Sequence, residues 1–282
     1  MRSSLAFRVF IYSAAVFAGV VILAPFVWLL ISSVAAPADL LVRPLKWIPA
    51  HASLSRYAEI FFGTGNDTVI TFRAAMVNST IVAGSSVLIS LGVGIFGAYA
   101  FARLRFRFQR AILLLFLSTY MLPPIALLIS LYLTMVQLRL LDTRIGLILV
   151  YCTFITPFVL WIMSGYFRSI PRDLEDAARI DGCSRMGALF RVILPLARPG
   201  LLATALFGFL LAWDEFLYAL IFTSSLESKT IPVAIAEFTG RHAVDFGMMA
   251  TGGVLASLPP LAIAFVFQRY IVGGLASGAV KG

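Results

Sequence analysis

Six apolar stretches constrain this chain more than any other feature of its sequence. A membrane-spanning helix needs about 20 apolar residues to cross the hydrocarbon core of a bilayer, and every one of these stretches is longer than that. The stretches are residues 9–34, 74–102, 111–138, 145–167, 201–222 and 246–268. We therefore expect an all-α membrane protein in which residues 1–282 form a single transmembrane domain with six spans.

The composition excludes an ordinary soluble domain. Hydrophobic residues make up 61% of the sequence and charged residues 12%, about half the share that soluble domains carry. The formal net charge of +9 would suit a nucleic-acid partner, but the basic residues are concentrated in the loops of one side of the predicted membrane. That distribution favours a lipid membrane and predicts no nucleic-acid partner.

The distribution of charge also predicts the orientation of the spans. With the N-terminus inside, fourteen of the 22 basic residues fall in cytoplasmic segments, whereas the other side has eight basic residues against seven acids. Such an excess of lysine and arginine is typical of the cytoplasmic side of a membrane protein. We therefore expect a multi-pass protein with both termini in the cytoplasm.

The one long charged interval between apolar stretches, residues 173–199, is predicted to form two short helices and a turn. Asp173 can cap the first helix, and Gly182 ends it. Ser184 can cap the second helix, whose apolar residues recur at helical spacing until Pro195 ends it. Helices this short are marginal alone, so their apolar stripes must dock against something. On patterning alone, that surface is either another protein or the membrane itself.

Three features of this interval resemble the EAA loop of ATP-binding-cassette importer permeases. They are an Asp-Ala-Ala run at 176–178, Gly182 six positions after the Asp, and a Leu-Pro pair at 194–195. In that family the loop forms coupling helices that sit in a cleft of a cytoplasmic ATPase, and the resemblance implies the same role here. The coupling residues that it implies are Glu175, Asp176, Ala177, Ala178, Asp181, Gly182, Phe190, Leu194 and Pro195. Because Asp176 stands where the family usually has Glu, and Glu175 precedes it, which carboxylate meets the ATPase stays open.

Prolines and carboxylates interrupt three of the predicted spans. Pro-Pro pairs at 123–124 and 259–260 break the third and sixth spans, and the carbonyls that they free either line a pathway or mark simple kinks. Asp214 and Glu215 lie in the fifth span, where ionisable groups usually face a bundle interior or an aqueous cavity. The alternative is that both carboxylates already lie at the outer interface.

We predict one set of side chains for the translocation path or its outer gate. They are Asn78, Met121, Trp213, Asp214, Glu215 and Tyr218. Asn78 is also expected to cap the second span. Within that span, the glycines from Gly92 to Gly97 spell a dinucleotide-binding fingerprint, but no strand precedes them, so we interpret Gly94 and Gly97 as sites where a neighbouring helix approaches closely.

Three further segments resemble the sugar-importing branch of the same family, the maltose-type inner-membrane permeases. They are residues 213–216, an outer segment that matches at 229–233 and 238–240, and the C-terminal residues 273–282. In that branch the outer segment reaches into a substrate-binding protein, and the contacts that this implies are Phe238, Thr239, Gly240 and Arg241. The resemblance implies a bacterial plasma (inner) membrane location. The implied partners are a second permease subunit, two ATPase subunits and an extracytoplasmic substrate-binding protein.

The sequence offers no catalytic constellation. His51 and His242 both lie in outer segments, no metal-ligand spacing occurs, and the phosphate-binding GxxxxGK[ST] pattern is absent. We expect a translocation subunit without cofactor or metal, which imports a sugar or sugar-like solute by alternating access while a partner hydrolyses ATP. The alternative is an ion-coupled secondary transporter in which Asp214 and Glu215 relay protons. A membrane-embedded enzyme would need a nucleophile or metal set that this sequence lacks.

Overall fold

The computed structural model describes residues 5–42, 47–49, 51–65, 67–239 and 244–279, and nearly all of them are helical. The helices are α1 (Leu5–Val34), α2 (Pro37–Leu41), α3 (Ser55–Phe62), α4 (Asp67–Arg103), α5 (Gln109–Met121), α6 (Pro124–Gln137), α7 (Arg144–Ser169), α8 (Arg172–Ile180), α9 (Arg185–Ala188), α10 (Leu194–Leu196), α11 (Arg198–Trp213), α12 (Leu217–Phe222), α13 (Ile231–Ala236) and α14 (Phe246–Ala279). A π-helical segment, Leu189–Ile193, joins α9 to α10. The described residues contain no β-strand, only two isolated bridges.

Four helices, α1, α4, α7 and α14, are each long and apolar enough to cross a membrane. Two bent pairs meet the same criteria of length and composition. One is α5 with α6, bent by 95°, and the other is residues 185–196 with α11, bent by 78°. The described chain therefore has four candidate spans, or six if each bent pair counts as one.

Two differences between the predicted spans and the helices of the structure affect residues that were predicted to have a role. The second span was expected to begin at residue 74, but α4 begins at Asp67, whose carboxylate suits the positive end of the helix dipole. Asn78 therefore lies inside α4, and the prediction that it caps the span is wrong. The fifth span, 201–222, is not one helix, because α11 ends at Trp213 and α12 begins at Leu217.

The two proline pairs behave differently. Pro123 is extended and Pro124 begins α6, a position that needs no amide hydrogen, so the predicted break in the third span is confirmed. The predicted break in the sixth span is wrong, because α14 runs without interruption through Pro259 and Pro260. Membrane helices tolerate internal proline where surrounding groups satisfy the freed carbonyls.

The described residues form two compact units. The first lies within Met1–Arg73 and Ala234–Leu258. There Arg56 binds the C-terminal end of α1, because its guanidinium donates to the carbonyls of Ser33 (3.2 Å) and of Ala35, the residue after the helix (2.7 Å). The rings of Phe72 and Phe238, 5.7 Å apart, lie in the core of this unit.

The second unit lies within Ala74–Val233 and Pro259–Gly282, and α7 forms its centre. Every fourth residue of α7 is completely buried, which is the spacing of one face of a helix. The buried residues are Tyr151, Ile155, Val159, Met163 and Phe167. The predicted close approach to α4 is confirmed, because a Cβ added at Gly94 would lie 2.6 Å from the Val159 Cγ1 atom, and one at Gly97 would lie 3.0 Å from the Leu160 Cδ1 atom.

Candidate functional site

Residues 173–199, which the sequence predicts to couple to an ATPase and which we call the coupling interval, fold as a helix, a turn and a second helical segment. Gly182 has a φ of +91°, which L side chains rarely adopt, and it forms the predicted turn after α8. The Ser184 hydroxyl accepts a hydrogen bond from the Gly187 amide at 3.1 Å, so the second predicted cap is confirmed. The first is wrong. The residue at the cap position of α8 is Pro171, and Asp173 lies within the first turn, where the helix dipole still favours an anion.

The second helical segment does not end at Pro195 as predicted. The chain passes from α9 through the π-helical segment into α10, which contains Pro195 and ends at Leu196. Pro195 occupies one of the first two positions of α10, where proline is well tolerated. Leu189 and Ile193 are completely buried, so one face of this segment is held inside the protein.

The opposite face of the interval is exposed. We define the docking face by its exposed residues, four large apolar side chains and one carboxylate: Leu174, Asp176, Ile180, Met186 and Phe190. Ile180 is 86% exposed. Of the other residues predicted to couple, Ala177, Asp181 and Gly182 are exposed, Leu194 and Pro195 are half-buried, and Glu175 and Ala178 are buried.

Glu175 and Asp176 therefore point in different directions. Glu175 forms a buried cluster, which we call the anchor cluster, with Tyr99 and Arg103 at the end of α4. The Tyr99 hydroxyl donates to the Glu175 Oε1 atom at 2.5 Å. The Arg103 Nε atom lies 3.1 Å from the Glu175 Oε2 atom without a hydrogen bond, so the attraction between them is electrostatic.

Several side chains bind the free carbonyls at the C-terminal end of α4. Arg168 donates to the Phe101 carbonyl at 3.2 Å, and Arg172 donates to the Ala102 carbonyl at 3.5 Å. Arg103 itself donates to the Ile170 carbonyl at 2.9 Å, in the turn between α7 and α8. Cations are favourable at the C-terminal end of a helix, so these contacts hold the end of α4 against the start of α8.

The fifth-span carboxylates lie at the break between α11 and α12. The Glu215 carboxylate accepts hydrogen bonds from the amides of Tyr218 (2.8 Å) and Ala219 (3.1 Å), and so it caps α12. It also accepts one from the Tyr151 hydroxyl at 2.8 Å. The Asp214 side chain is exposed. The two adjacent carboxylates therefore have different environments.

The break before α12 contacts the break before α6. The Tyr218 hydroxyl donates to the Pro124 carbonyl at 3.2 Å, and its ring stacks on Phe154 with centroids 6.2 Å apart. Trp213 is buried and stacks on Phe209. Of the residues predicted for the path, Trp213, Glu215 and Tyr218 are thus brought to one region of the second unit, beside Asp214.

Met121 and Asn78 have other surroundings. Met121 is 85% exposed and borders an apolar cavity of about 250 Å³. The cavity is lined by Leu117, Tyr120, Met121, Pro157, Phe158 and Trp161. Asn78 is completely buried, and its amide donates to the carbonyls of Leu226 (3.0 Å) and Lys229 (2.8 Å). Asn78 therefore ties α4 to the segment between α12 and α13.

The same segment is tied to the turn between α6 and α7 by Asp142. Its carboxylate accepts hydrogen bonds from the amides of Ser224 (2.7 Å) and Ser225 (3.0 Å) and from the Ser228 hydroxyl. Burial alone would raise the pKa of this carboxyl, but the hydrogen bonds from Ser228, Ser224 and Ser225 outweigh it and hold the pKa well below its usual range. Sequence reasoning did not single out Asp142.

The residues predicted to contact a binding protein are described only in part. Phe238 is buried against Phe72, and Thr239 is exposed. Gly240 and Arg241 lie outside the described residues. Among the residues that the structure describes, no group of three or more histidine, cysteine, aspartate or glutamate side chains could hold a metal ion.

Residues 90–276 match the family described as the binding-protein-dependent transport system inner membrane component. The chain is 36% identical over 258 residues to the sulfoquinovosyl glycerol transport system permease protein SmoH of Agrobacterium fabrum, covering 92% of this chain and 88% of the relative. It is 34% identical over 283 residues to the trehalose/maltose transport system permease protein MalG of Thermococcus litoralis, covering 100% of both.

The fold also matches a solved structure. A chain of a bacterial ATP-binding-cassette transporter involved in the import of the acidic polysaccharide alginate superimposes with a TM-score of 0.76, covering 96% of this chain and 99% of that chain at 23% identity. This likeness concerns the fold alone. The sequence matches show the family: the chain belongs to the binding-protein-dependent transport system inner membrane components, the permease subunits of ATP-binding-cassette importers.

Proposed function

We propose that this chain imports a sugar or sugar-like solute as one half of a transmembrane pair, driven by ATP hydrolysis on separate subunits. Its relatives named above are permease proteins for sulfoquinovosyl glycerol and for trehalose or maltose, which supports the class of solute. The chain acts as a translocation subunit and not as an enzyme. In this proposal six spans cross the bacterial inner membrane, both termini are cytoplasmic, and an extracytoplasmic binding protein delivers the solute.

The docking face carries the proposal. It presents four exposed apolar side chains next to the Asp176 carboxylate, while Leu189 and Ile193 on the opposite face are completely buried. Exposed apolar side chains in the same segment as exposed charged ones are typical of a protein interface. We propose that the docking face inserts into the cytoplasmic ATPase subunit, with Asp176, not Glu175, as the carboxylate that meets it.

The environment of Glu215 supports a path or gate over a proton relay. Its carboxylate accepts three hydrogen bonds, two of them from the first amides of α12, so protonation would weaken the cap of that helix. Asp214 is exposed beside the helix break and is the better candidate to face an aqueous path. Alternating access would then proceed as the docking face moves with the ATPase and the broken helices rearrange.

Copurification and uptake test this function together. Cells that express the chain with its genetic neighbours should yield a complex containing an ATPase. They should take up at least one of radiolabelled trehalose, maltose and sulfoquinovosyl glycerol, and uptake should stop on ATP depletion while resisting a protonophore at constant ATP. Uptake that survives ATP depletion and follows a proton gradient would establish the ion-coupled alternative.

A pair of matched variants tests the docking face. Ile180→Glu places a charge on an apolar contact and should release the ATPase from the purified complex. Ile48→Glu changes the same residue type, equally exposed at 86%, in the predicted outer segment and should leave the complex intact. Retention of the ATPase by Ile180→Glu would contradict the proposed interface.

A further inference from the structure

We propose that the anchor cluster makes α8 and the cytoplasmic end of α4 move as one body, so that the coupling interval acts on the second span directly and not only through α7 and α11. The inference rests on the proposed function, because it assumes that an ATPase displaces α8. It assigns Glu175 a positioning role within this chain and Arg103 and Tyr99 the role of its receptors.

The anchor cluster is buried. Only 12% of the Glu175 side chain and 4% of the Arg103 side chain are exposed. A buried carboxylate and a buried guanidinium separate only at a large energetic cost, because each would be left without water or a counter-ion. The Tyr99 hydroxyl adds a charge-assisted hydrogen bond to the same carboxylate. Glu175 therefore holds α8 against α4 at two points.

The turn between α7 and α8 is fixed to α4 on both of its sides. Arg103 pairs with Glu175 in α8 and also donates to the Ile170 carbonyl, in the turn that would otherwise act as a hinge before α8. Arg172, the first residue of α8, donates to the Ala102 carbonyl. Contacts on both sides of the turn limit rotation of α8 relative to α4.

The other half of the coupling interval also contacts α4. The ring of Phe190, on the docking face, meets Phe96 edge-on, with the centroids 6.0 Å apart. Phe96 lies one helical turn before Tyr99, so both halves of the coupling interval touch the same stretch of α4. A displacement of the docking face therefore reaches α4 from both sides of the Gly182 turn.

Spin-label distances in the complete transporter test this inference without knowledge of the solute. In a background with Cys152→Ser and Cys183→Ser, one pair, Arg179→Cys with Arg105→Cys, reports α8 relative to the end of α4. A second pair, Arg179→Cys with Glu227→Cys, reports α8 relative to the segment before α13. Both pairs are measured in the resting complex and after trapping with ATP and vanadate.

With an intact cluster, the Arg179–Glu227 distance should change on trapping while the Arg179–Arg105 distance keeps its value and width. Glu175→Ala should shift or broaden the Arg179–Arg105 distribution on trapping. Because that variant leaves Arg103 buried without its partner and can impair folding, Glu175→Leu combined with Arg103→Met removes both charges and should give the same shift in a folded complex. Asp173→Asn, at an exposed acid in the first turn of α8 and outside the docking face, is the matched control and should leave this distance unchanged.

The outcomes separate the two proposals. Failure of the unsubstituted chain to bind an ATPase would overturn the proposed function and the inference with it. A complex whose Arg179–Glu227 distance responds to nucleotide, but whose Arg179–Arg105 distance is the same with and without the Glu175 carboxylate, would keep the function and overturn the anchor. Glu175→Asp, which preserves the charge, should restore part of the wild-type distribution.

Discussion

The Tyr151 hydroxyl lies 2.8 Å from the Glu215 Oε2 atom, so the central helix α7 is hydrogen-bonded to the residue that caps α12. The carboxylate accepts two amide hydrogen bonds from the first turn of α12 at the same time. The break between α11 and α12 is thus stabilised by specific hydrogen bonds. An acidic side chain replaces the backbone hydrogen bonds that a continuous helix would make.

Loss of this cap should affect both stability and transport. Glu215→Ala leaves the two amides of α12 unsatisfied and should lower the free energy of unfolding by about 1 to 3 kcal/mol. Thermal unfolding in detergent measures the loss, and uptake should fall with it. Asp214→Asn, at the exposed neighbour, should change stability by less than about 0.5 kcal/mol. A Glu215→Gln variant of full stability with no transport at all would instead favour a proton relay.

Close packing of α4 on α7 gives a second prediction. Gly94→Ala places a methyl group 2.6 Å from the Val159 Cγ1 atom and should destabilise the protein by about 1 to 3 kcal/mol. Gly92→Ala is the matched control, since nothing lies within 4 Å of an added Cβ there, and it should be neutral or stabilising by up to about 1 kcal/mol. Adding Val159→Ala should recover part of the loss at Gly94, as measured by thermal unfolding. Equal effects of the two glycine substitutions would contradict the packing.

The hydrogen bonds to the Asp142 carboxylate predict how stability depends on pH. The pKa of Asp142 is lower in the folded protein than in the unfolded chain. The ionised carboxylate therefore stabilises the fold above the unfolded pKa of about 4, and this stabilisation is lost as the pH falls towards the folded pKa. The difference in unfolding temperature between the wild type and Asp142→Asn should therefore be constant from pH 5 to pH 8 and shrink below about pH 4.

The exposed Glu227 provides the control for the hydrogen bonds to Asp142. Glu227→Gln alters an acid in the same segment without touching the hydrogen bonds to Asp142, and should leave the pH profile of unfolding unchanged. A difference between the wild type and Asp142→Asn that grows as the pH falls would show that the carboxylate does not stabilise this turn in its ionised form.

The turn at Gly182 is expected to transmit force. Gly182→Val forces a β-branched residue to a φ of +91°, at a cost of about 1 to 3 kcal/mol, although no atom lies within 4 Å of the added Cβ. The complex should still assemble, but its ATPase activity should no longer rise with loaded binding protein. Gly182→Asn, which tolerates left-handed backbone, should keep the stimulation. Normal stimulation in Gly182→Val would show that the turn does not transmit force. Loss of the ATPase would show that the coupling interval serves only to bind it.

The sequence alone determined the features that depend on local chemistry and composition. Runs of more than 20 apolar residues predicted the membrane helices, because only a helix satisfies its own backbone in lipid. Gly182, Ser184 and Pro124 indicated a turn, a cap and a break that the structure confirms, since each acts on backbone groups within a few positions of itself. The long EAA-like interval was sufficient to identify the family.

Only the tertiary structure decided how the polar side chains are used. Glu175 and Asp176 are chemically alike and adjacent, yet only Glu175 is buried. It binds Tyr99, which lies 76 positions away in the sequence. Asn78, expected to cap a helix, instead binds a carbonyl 151 positions away, and Glu215 caps α12 while bonding Tyr151 on α7. No local pattern predicts such pairings, because they depend on which helices pack together and on the requirement that buried polar groups find partners.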